Sequence, residues 1–453
     1  MRSSWGGRLL AGVIGIYAFD KLWKMARFTY YGLLALQNRG QETAGIVTCH
    51  EDGLSEYKGR NTVDRVFLEE KLSSMRGWLA IGCVDAEVRH EESIQPVIVN
   101  KPVKLAFCMD GKALNWREVA AKEGVSAEGD VNVIAAILSK HIDKYGPLDG
   151  AVRLLEILKG GYCFVALTEK GEMIAARSPS GVKPLVIGSF GFDYGVVASE
   201  SCAIDVIGAD YKADVFPGEV YLFTPYSIEK ARVQSDEVTY CSFEYVYLAR
   251  PDSYINDISV YEVRMRIGEV LAEEHPVEGD VVIGVPETAI PFAMAYSNKT
   301  KIPIAMGFVR TGPHVRSAIK PTQFERLVGV QLKLNPIKNA IKGKRVILID
   351  DSVVRGNTTK NTVTLMRNKL GVKEVHVRIG SPKIVSHCPF GVEVPPEDEL
   401  IARHLTDEEV AAVVGADSFH WLSLNGLVKA IGLPRSMLCL GCFTSEYPSC
   451  LKI

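Results

Sequence analysis

No apolar stretch in the sequence reaches the roughly 18 residues that a membrane-spanning helix needs, and the basic residues do not gather into long runs. Formal net charge is only −2. Neither a membrane nor a nucleic-acid partner is therefore expected, although a small anion can still be bound by a local site. The chain lacks internal repeats and low-complexity segments, so disorder at scale is not expected. Cysteine is sparse: ten residues scattered among apolar runs of a 453-residue chain do not make the dense framework of a small secreted protein. The N-terminal MRSSWGGRLLAGVIGIY blends into a strand-like run, and the cytoplasm is the expected location.

What is present is an ordinary globular composition, 47% hydrophobic and 23% charged with 40 glycines, on a chain longer than one hydrophobic core usually organises. Two domains are expected. From about Gly12 to Pro225, short β-rich runs such as GVIGIY, LAIGCV, VKLAFCM and GYCFVAL alternate with glycine-rich and polar turns. Two helices are predicted among them, over Phe28 to Gln37 and over Val131 to Tyr145, where Val133, Ile134, Ile137 and Leu138 follow helical spacing. This pattern implies a layered α+β sandwich. From about Ser259 strands and helices alternate. A helix over Val263 to Glu274 leads to the buried strand VVIGV; IPIAMGFV, RVILID and EVHVRI are further buried-strand candidates. A helix over Thr358 to Leu370 stops at Gly371. A doubly wound parallel sheet follows, with the domain boundary near 227–258.

The strongest local signal is VILIDDSVVRGNTTKNTV, a buried strand that ends in two acids before a short loop opens a helix. Ligands of parallel α/β sheets bind beyond the carboxyl ends of the strands, and N–H groups at a helix start attract phosphate. Gly356 lets the backbone approach closely. Hydroxyls of Ser352, Thr358 and Thr359 are placed to donate to a phosphate. Asp350 and Asp351 can accept from ribose hydroxyls or approach a hydrated Mg²⁺.

This string resembles the phosphoribosyl-pyrophosphate signature of type I phosphoribosyltransferases, with Arg355, Gly356, Asn357, Thr358 and Thr359 in the binding loop. Together with CSFEYVYLARPDS, KPTQ, KLNPIK, EVHVRIGSP, ALQNRGQETAGI, ASESCAI and PGEVYLF, it is similar to the amidophosphoribosyltransferase family over nearly the whole chain. The resemblance implies an N-terminal-nucleophile-type αββα sandwich, here 11–235, followed by an α/β type I phosphoribosyltransferase domain with a parallel sheet, here 236–453. Residues 1–10 take the position of a propeptide. It also implies Mg²⁺ at Thr288, Asp350 and Asp351, and ammonia displacing pyrophosphate from phosphoribosyl pyrophosphate to give phosphoribosylamine for purine synthesis, in a homo-oligomer.

Cys439 and Cys442 form a C-x₂-C pair, alone compatible with zinc or with plain burial. The resemblance adds Cys241 and Cys388, since one branch of the family carries a 4Fe–4S cluster on four cysteines.

The family's glutaminase residues depart from pattern. Its mature chain begins Cys-Gly-Val, and its cysteine attacks glutamine while the α-amine of that residue acts as base. The matching run here is Ala11-Gly12-Val13. The family's G-H-x-R-Y-S becomes Gly82-Cys83-Val84-Asp85-Ala86-Glu87, with an acid where an arginine holds the glutamine carboxylate. Its H-N-G-N becomes Met109-Asp110-Gly111-Lys112, with a carboxylate opposing a developing oxyanion. Gly111 and Asp130 remain. Cys83 and Cys108 are expected to be ordinary buried residues. In the flexible lid the family tyrosine becomes Pro313, between Arg310 and Arg316, and a family arginine becomes Gln331, while Arg326 and Lys333 survive. The expected activity is ammonia-dependent phosphoribosylamine synthesis, with a separate glutaminase chain as a possible ammonia source. The alternative is a non-catalytic paralogue that binds phosphoribosyl pyrophosphate or purine nucleotide and regulates or scaffolds an active homologue.

Overall fold

A computed structural model describes residues 10–86, 94–235, 237–310 and 334–448. Strand Ala11–Ala18 shows how the first half is built. Its residues alternate with the two-residue period of a pleat. Ile14 and Ile16 pack against helices Ala26–Ala35 and Ser201–Val206, while Ala11, Val13 and Tyr17 enter the space between two sheets. The strand lies centrally in a seven-stranded antiparallel sheet, between Leu79–Asp85 and Tyr194–Ala198. The second sheet has six strands, among them Leu105–Ala113, Gly160–Thr168 and Met173–Arg177. Its outer face is covered by helices Asp130–Tyr145 and Pro147–Ile157. The order of layers is helix, sheet, sheet, helix, as the alternating runs imply.

The predicted first helix is shifted by two residues, to Ala26–Ala35. Helix Pro147–Ile157 was not expected. Its starting proline and internal Gly150 look like breakers in sequence, but proline is favoured in the first helical turn and the helix buries Ala151, Leu154 and Leu155.

The second half carries a parallel sheet in the order Val281–Gly284, Arg345–Asp350, Glu374–Ile379, Ser418–Trp421. IPIAMGFV is a correction: it contributes one parallel bridge, Ile304 to Val282, and a two-residue strand, Phe308–Val309. Pro303 has no N–H to give a ladder, and Ile304 and Met306 are 43% and 69% exposed. The bridge still matters. It sets Ile304 on the opposite side of Val281–Gly284 from Arg345–Asp350, so successive connections leave that strand in opposite directions. A crevice forms beyond the carboxyl ends at such a switch point.

Candidate functional site

Strand Arg345–Asp350 ends at that switch point, and helix Asn357–Leu370 begins after the loop, its entry made by Gly356 at φ +74°. A Cβ at Gly356 would stand 2.8 Å from Ile401 Cδ1, so both the turn and the packing require glycine. Asp350 is buried and Asp351 partly so. Burial, with its neighbour Asp351, pushes the Asp350 carboxyl well above the usual range. Burial pushes Asp351 up to about 6, against the lowering effect of Ser352, Arg264 and Thr288. Ser352 Oγ donates to Asp351 Oδ1 at 2.6 Å, and the Thr288 side chain is close enough to Asp351 to help lower its carboxyl. The three residues expected around Mg²⁺ therefore meet: two carboxylates that resist carrying charge together, beside a hydroxyl. Adjacent carboxylates beside a hydroxyl are oxygen ligands of the kind Mg²⁺ takes.

Arg355 pairs with Glu399, Thr359 is buried, and Thr358 is exposed on the first turn of the helix. Arg264 was not anticipated. It is buried, donates to the Tyr245 and Ala249 carbonyls at 3.0 and 2.7 Å, and is held down to about 10 by burial despite the attraction of Asp351. Pro313, Arg316, Arg326, Gln331 and Lys333 lie outside the described residues, as does Glu87.

In the sandwich, Ala11 is wholly buried and its backbone N–H donates to Asp110 Oδ1 at 3.1 Å. Leu10, also buried, accepts from the Ala86 N–H. Arg39, equally buried, gives its Nε to the Ala11 carbonyl at 3.0 Å and one terminal nitrogen to Asp110 Oδ2 at 2.9 Å. Its remaining donors reach Glu200 and Glu244 at 2.8–3.0 Å. Burial alone would lower Arg39, but Glu244, Asp110 and Glu200 raise it well above its ordinary value. Burial would raise Asp110, but Lys183 and Arg39 hold it below the usual carboxylate range. Asp85 accepts from Gln95 Nε2 at 3.0 Å and from Thr43 Oγ1 at 3.2 Å. Gly111 has φ +91°, and a Cβ there would stand 2.2 Å from the Gly161 carbonyl. Asp130 starts helix Asp130–Tyr145, its Oδ1 accepting from the next N–H while Oδ2 is buried with no hydrogen-bond partner among the described residues. Cys83 and Cys108 belong to the core between the sheets.

The four cysteines ring one cavity at the junction of both halves, walled by Val182, Phe243, Ile384, Phe390 and Val392. Cys241 and Cys439 are aligned by a two-residue parallel pairing; the Cys442 carbonyl accepts from Val385 and Ser386. Burial pushes the Cys241, Cys388 and Cys442 thiols up, and neighbouring cysteines add to this at Cys241 and Cys442. Among the described residues no three Cys, His, Asp or Glu side chains converge as ligands of a single ion. One zinc would need its sulfurs roughly 3.8 Å apart, from Zn–S bonds of about 2.3 Å. Four sulfurs spread around a cavity suit a larger, multinuclear core.

Among the described residues no helix is long and apolar enough to cross a membrane. Residues 79–206 match the family model of the glutamine amidotransferase domain, and 262–379 that of the phosphoribosyl transferase domain. The chain is 38% identical to the amidophosphoribosyltransferase of Methanocaldococcus jannaschii over 97% of its own length and 98% of the relative's. It is 38% identical to that of Bacillus subtilis, over 97% and 94%. It superposes with TM-score 0.87 on the solved B. subtilis glutamine phosphoribosylpyrophosphate amidotransferase complexed with ADP and GMP, at 38% identity and covering 96% and 97% of the two chains. A structure described as the allosteric regulatory enzyme of purine biosynthesis gives the same TM-score at 37% identity, covering 96% of each chain.

Proposed function

The chain belongs to the amidophosphoribosyltransferase family, enzymes of the pentosyltransferase class, and from that premise we propose that it forms 5-phosphoribosylamine from phosphoribosyl pyrophosphate with ammonia, its own glutaminase being lost. One observation carries the transferase half: Asp350, Asp351 and Thr288 meet at the switch point, next to a glycine-opened helix start. Mg²⁺ held by these residues would neutralise charge on the departing diphosphate. The N–H groups of the first helical turn, Asn357 to Thr359, would hold phosphate oxygens. As positive charge develops on the ribose, carboxylates at the ring edge favour the transition state over the substrate.

The lost half rests on what fills its site. Ala11 supplies no nucleophile, and Asp110 is already committed to the Ala11 N–H, Arg39 and Lys183. A glutamine carboxylate would meet Asp85 where the family has arginine, and the tetrahedral intermediate would meet a carboxylate at Asp110. The division at 11–235 and 236–453, with 1–10 as an extension, accords with a sandwich beginning at Ala11. The cavity of Cys241, Cys388, Cys439 and Cys442 would hold a 4Fe–4S cluster that ties both domains to the tail. A cytoplasmic homo-oligomer receiving ammonia from a separate glutaminase completes the reading.

The nucleotides bound by the B. subtilis relative favour a second reading, a regulatory paralogue that binds phosphoribosyl pyrophosphate or purine nucleotide without turning over. Turnover of phosphoribosyl pyrophosphate with Mg²⁺, run separately with ammonia and with glutamine, separates the two. Pyrophosphate release with ammonia alone is expected. Release with glutamine would overturn the lost-glutaminase reading, and no release with either would leave the regulatory one.

A further inference from the structure

Lys183 stands between the sandwich site and the cysteine cavity. Its side chain is 1% exposed, and Nζ lies 3.5 Å from Asp110 Oδ1. No hydrogen-bond partner for that nitrogen exists among the described residues, so three N–H donors are buried without an acceptor. The stem reaches this position by passing over Gly111, where a Cβ would come within 2.8 Å of Lys183 Cγ. Beyond Asp110 the residue lines the same cavity as Cys241, Cys388, Cys439 and Cys442.

Asp110 alone does not account for this placement. It already accepts from Arg39 at Oδ2 and from the Ala11 N–H at Oδ1, both at shorter distances than Lys183 Nζ, and Glu244, the other carboxylate acting on Lys183, is engaged by Arg39 through both oxygens. A buried ammonium is retained when an anion and acceptors meet it. The cavity that Lys183 also lines offers both, since a metal core bound to its four thiolates would be anionic and the sulfurs would accept N–H donors.

We propose that Lys183 is the counter-cation of the cluster held by Cys241, Cys388, Cys439 and Cys442, with Asp110 setting how much of that charge the cluster feels. The inference rests on the cluster reading and concerns what tunes it. A fixed positive charge favours the more negative, reduced state. Removing it makes reduction harder, and removing the competing Asp110 carboxylate makes it easier.

The test is anaerobic redox titration, followed by visible absorbance, of the wild type, Lys183→Met, Lys183→Arg and Asp110→Asn, each first assayed for iron, labile sulfide and melting temperature. Absence of labile sulfide in the wild type would overturn the cluster reading itself. With the cluster present, Lys183→Met is expected to lower the reduction equilibrium by roughly tenfold, about 59 mV for one electron. Lys183→Arg should stay near wild type, and Asp110→Asn should shift the opposite way. A methionine variant that fails to load while the arginine variant loads also supports the role of charge. Equal midpoints in the wild type and Lys183→Met would overturn the proposal. So would equal loss of the cluster from Lys183→Met and Lys183→Arg, because the effect would then be independent of charge.

Discussion

Arg39 and Asp110 form an ion pair 2.9 Å long with both side chains at 0% exposure, and Arg39 spans the two halves of the chain through Glu244. A guanidinium with every donor engaged by carboxylates or a carbonyl is a rigid fixture. Two of its carboxylate partners, Asp110 and Glu200, lie within residues 79–206, which match the glutamine amidotransferase domain.

Arg39→Met should destabilise the protein by about 3–5 kcal/mol, since it strands three carboxylates away from water without their cation. Chemical denaturation reads this directly. A change below about 1 kcal/mol would mean that the network relaxes or takes up protons at little cost.

The same network fixes an acid limit. Asp110 is held below the ordinary carboxylate range, so its contribution is fully present above its unfolded value of about 3.9 and is lost as pH falls through the lower folded value. Lys183 is raised by Asp110 and Glu244 although burial opposes this. Its contribution is present below about pH 10.4 and lost only above that. Melting temperature measured against pH should therefore show no pH dependence from this pair between pH 5 and 8, where the contribution of both is fully present. The decline on the acid side should be shallower in Asp110→Asn.

Asp351→Asn should weaken Mg²⁺-dependent binding of phosphoribosyl pyrophosphate by about 1.5–3 kcal/mol, the value of a charge-assisted contact. Calorimetry with and without Mg²⁺ measures it. Equal affinity in both proteins would move the site elsewhere.

Ala11→Cys should release no glutamate from glutamine, even when residues 1–10 are removed to free the new α-amine. Nucleophile, clamp and oxyanion donors act as a unit and are not additive. The combination of Ala11→Cys, Asp85→Arg and Asp110→Asn is the comparison, assayed for glutamate. Robust hydrolysis by the single variant would show a site merely disarmed.

Cys442→Ser should abolish labile sulfide in anaerobically purified protein. Stoichiometric zinc with no sulfide in the wild type would instead assign the four cysteines to another metal.

Much of the fold was legible because its periods are clean. Strand Ala11–Ala18 alternates between two cores, and helix Asn357–Leu370 starts one residue before its expected position and stops at Gly371 as read. IPIAMGFV misled because hydrophobicity alone does not distinguish a strand from an edge segment that proline keeps out of the ladder. Asp350, Asp351 and Thr288 were found from a contiguous loop and a resemblance, and they meet in space. Arg39, Glu200, Glu244, Lys183 and Arg264 were missed as individuals, although all but the last two sit inside quoted motifs. A charged residue in a sequence reads as solvent-facing, and only burial shows that Arg39, Glu200, Glu244 and Lys183 join one network with Asp110, with Arg39 bridging 71 to 205 positions, and that Arg264 gives its donors to backbone carbonyls.

Gly111 alters what the survival of a glycine can mean. It matches the glycine of the family's H-N-G-N motif, so its presence here suggests a surviving piece of machinery. Yet any side chain at that position collides with the Gly161 carbonyl and with the stem of Lys183. In a saturation-mutagenesis screen for folded protein alone, with no selection for turnover, Gly111 should tolerate as little replacement as the deepest core positions. Retention of this residue therefore carries no information about whether glutamine was ever cleaved here.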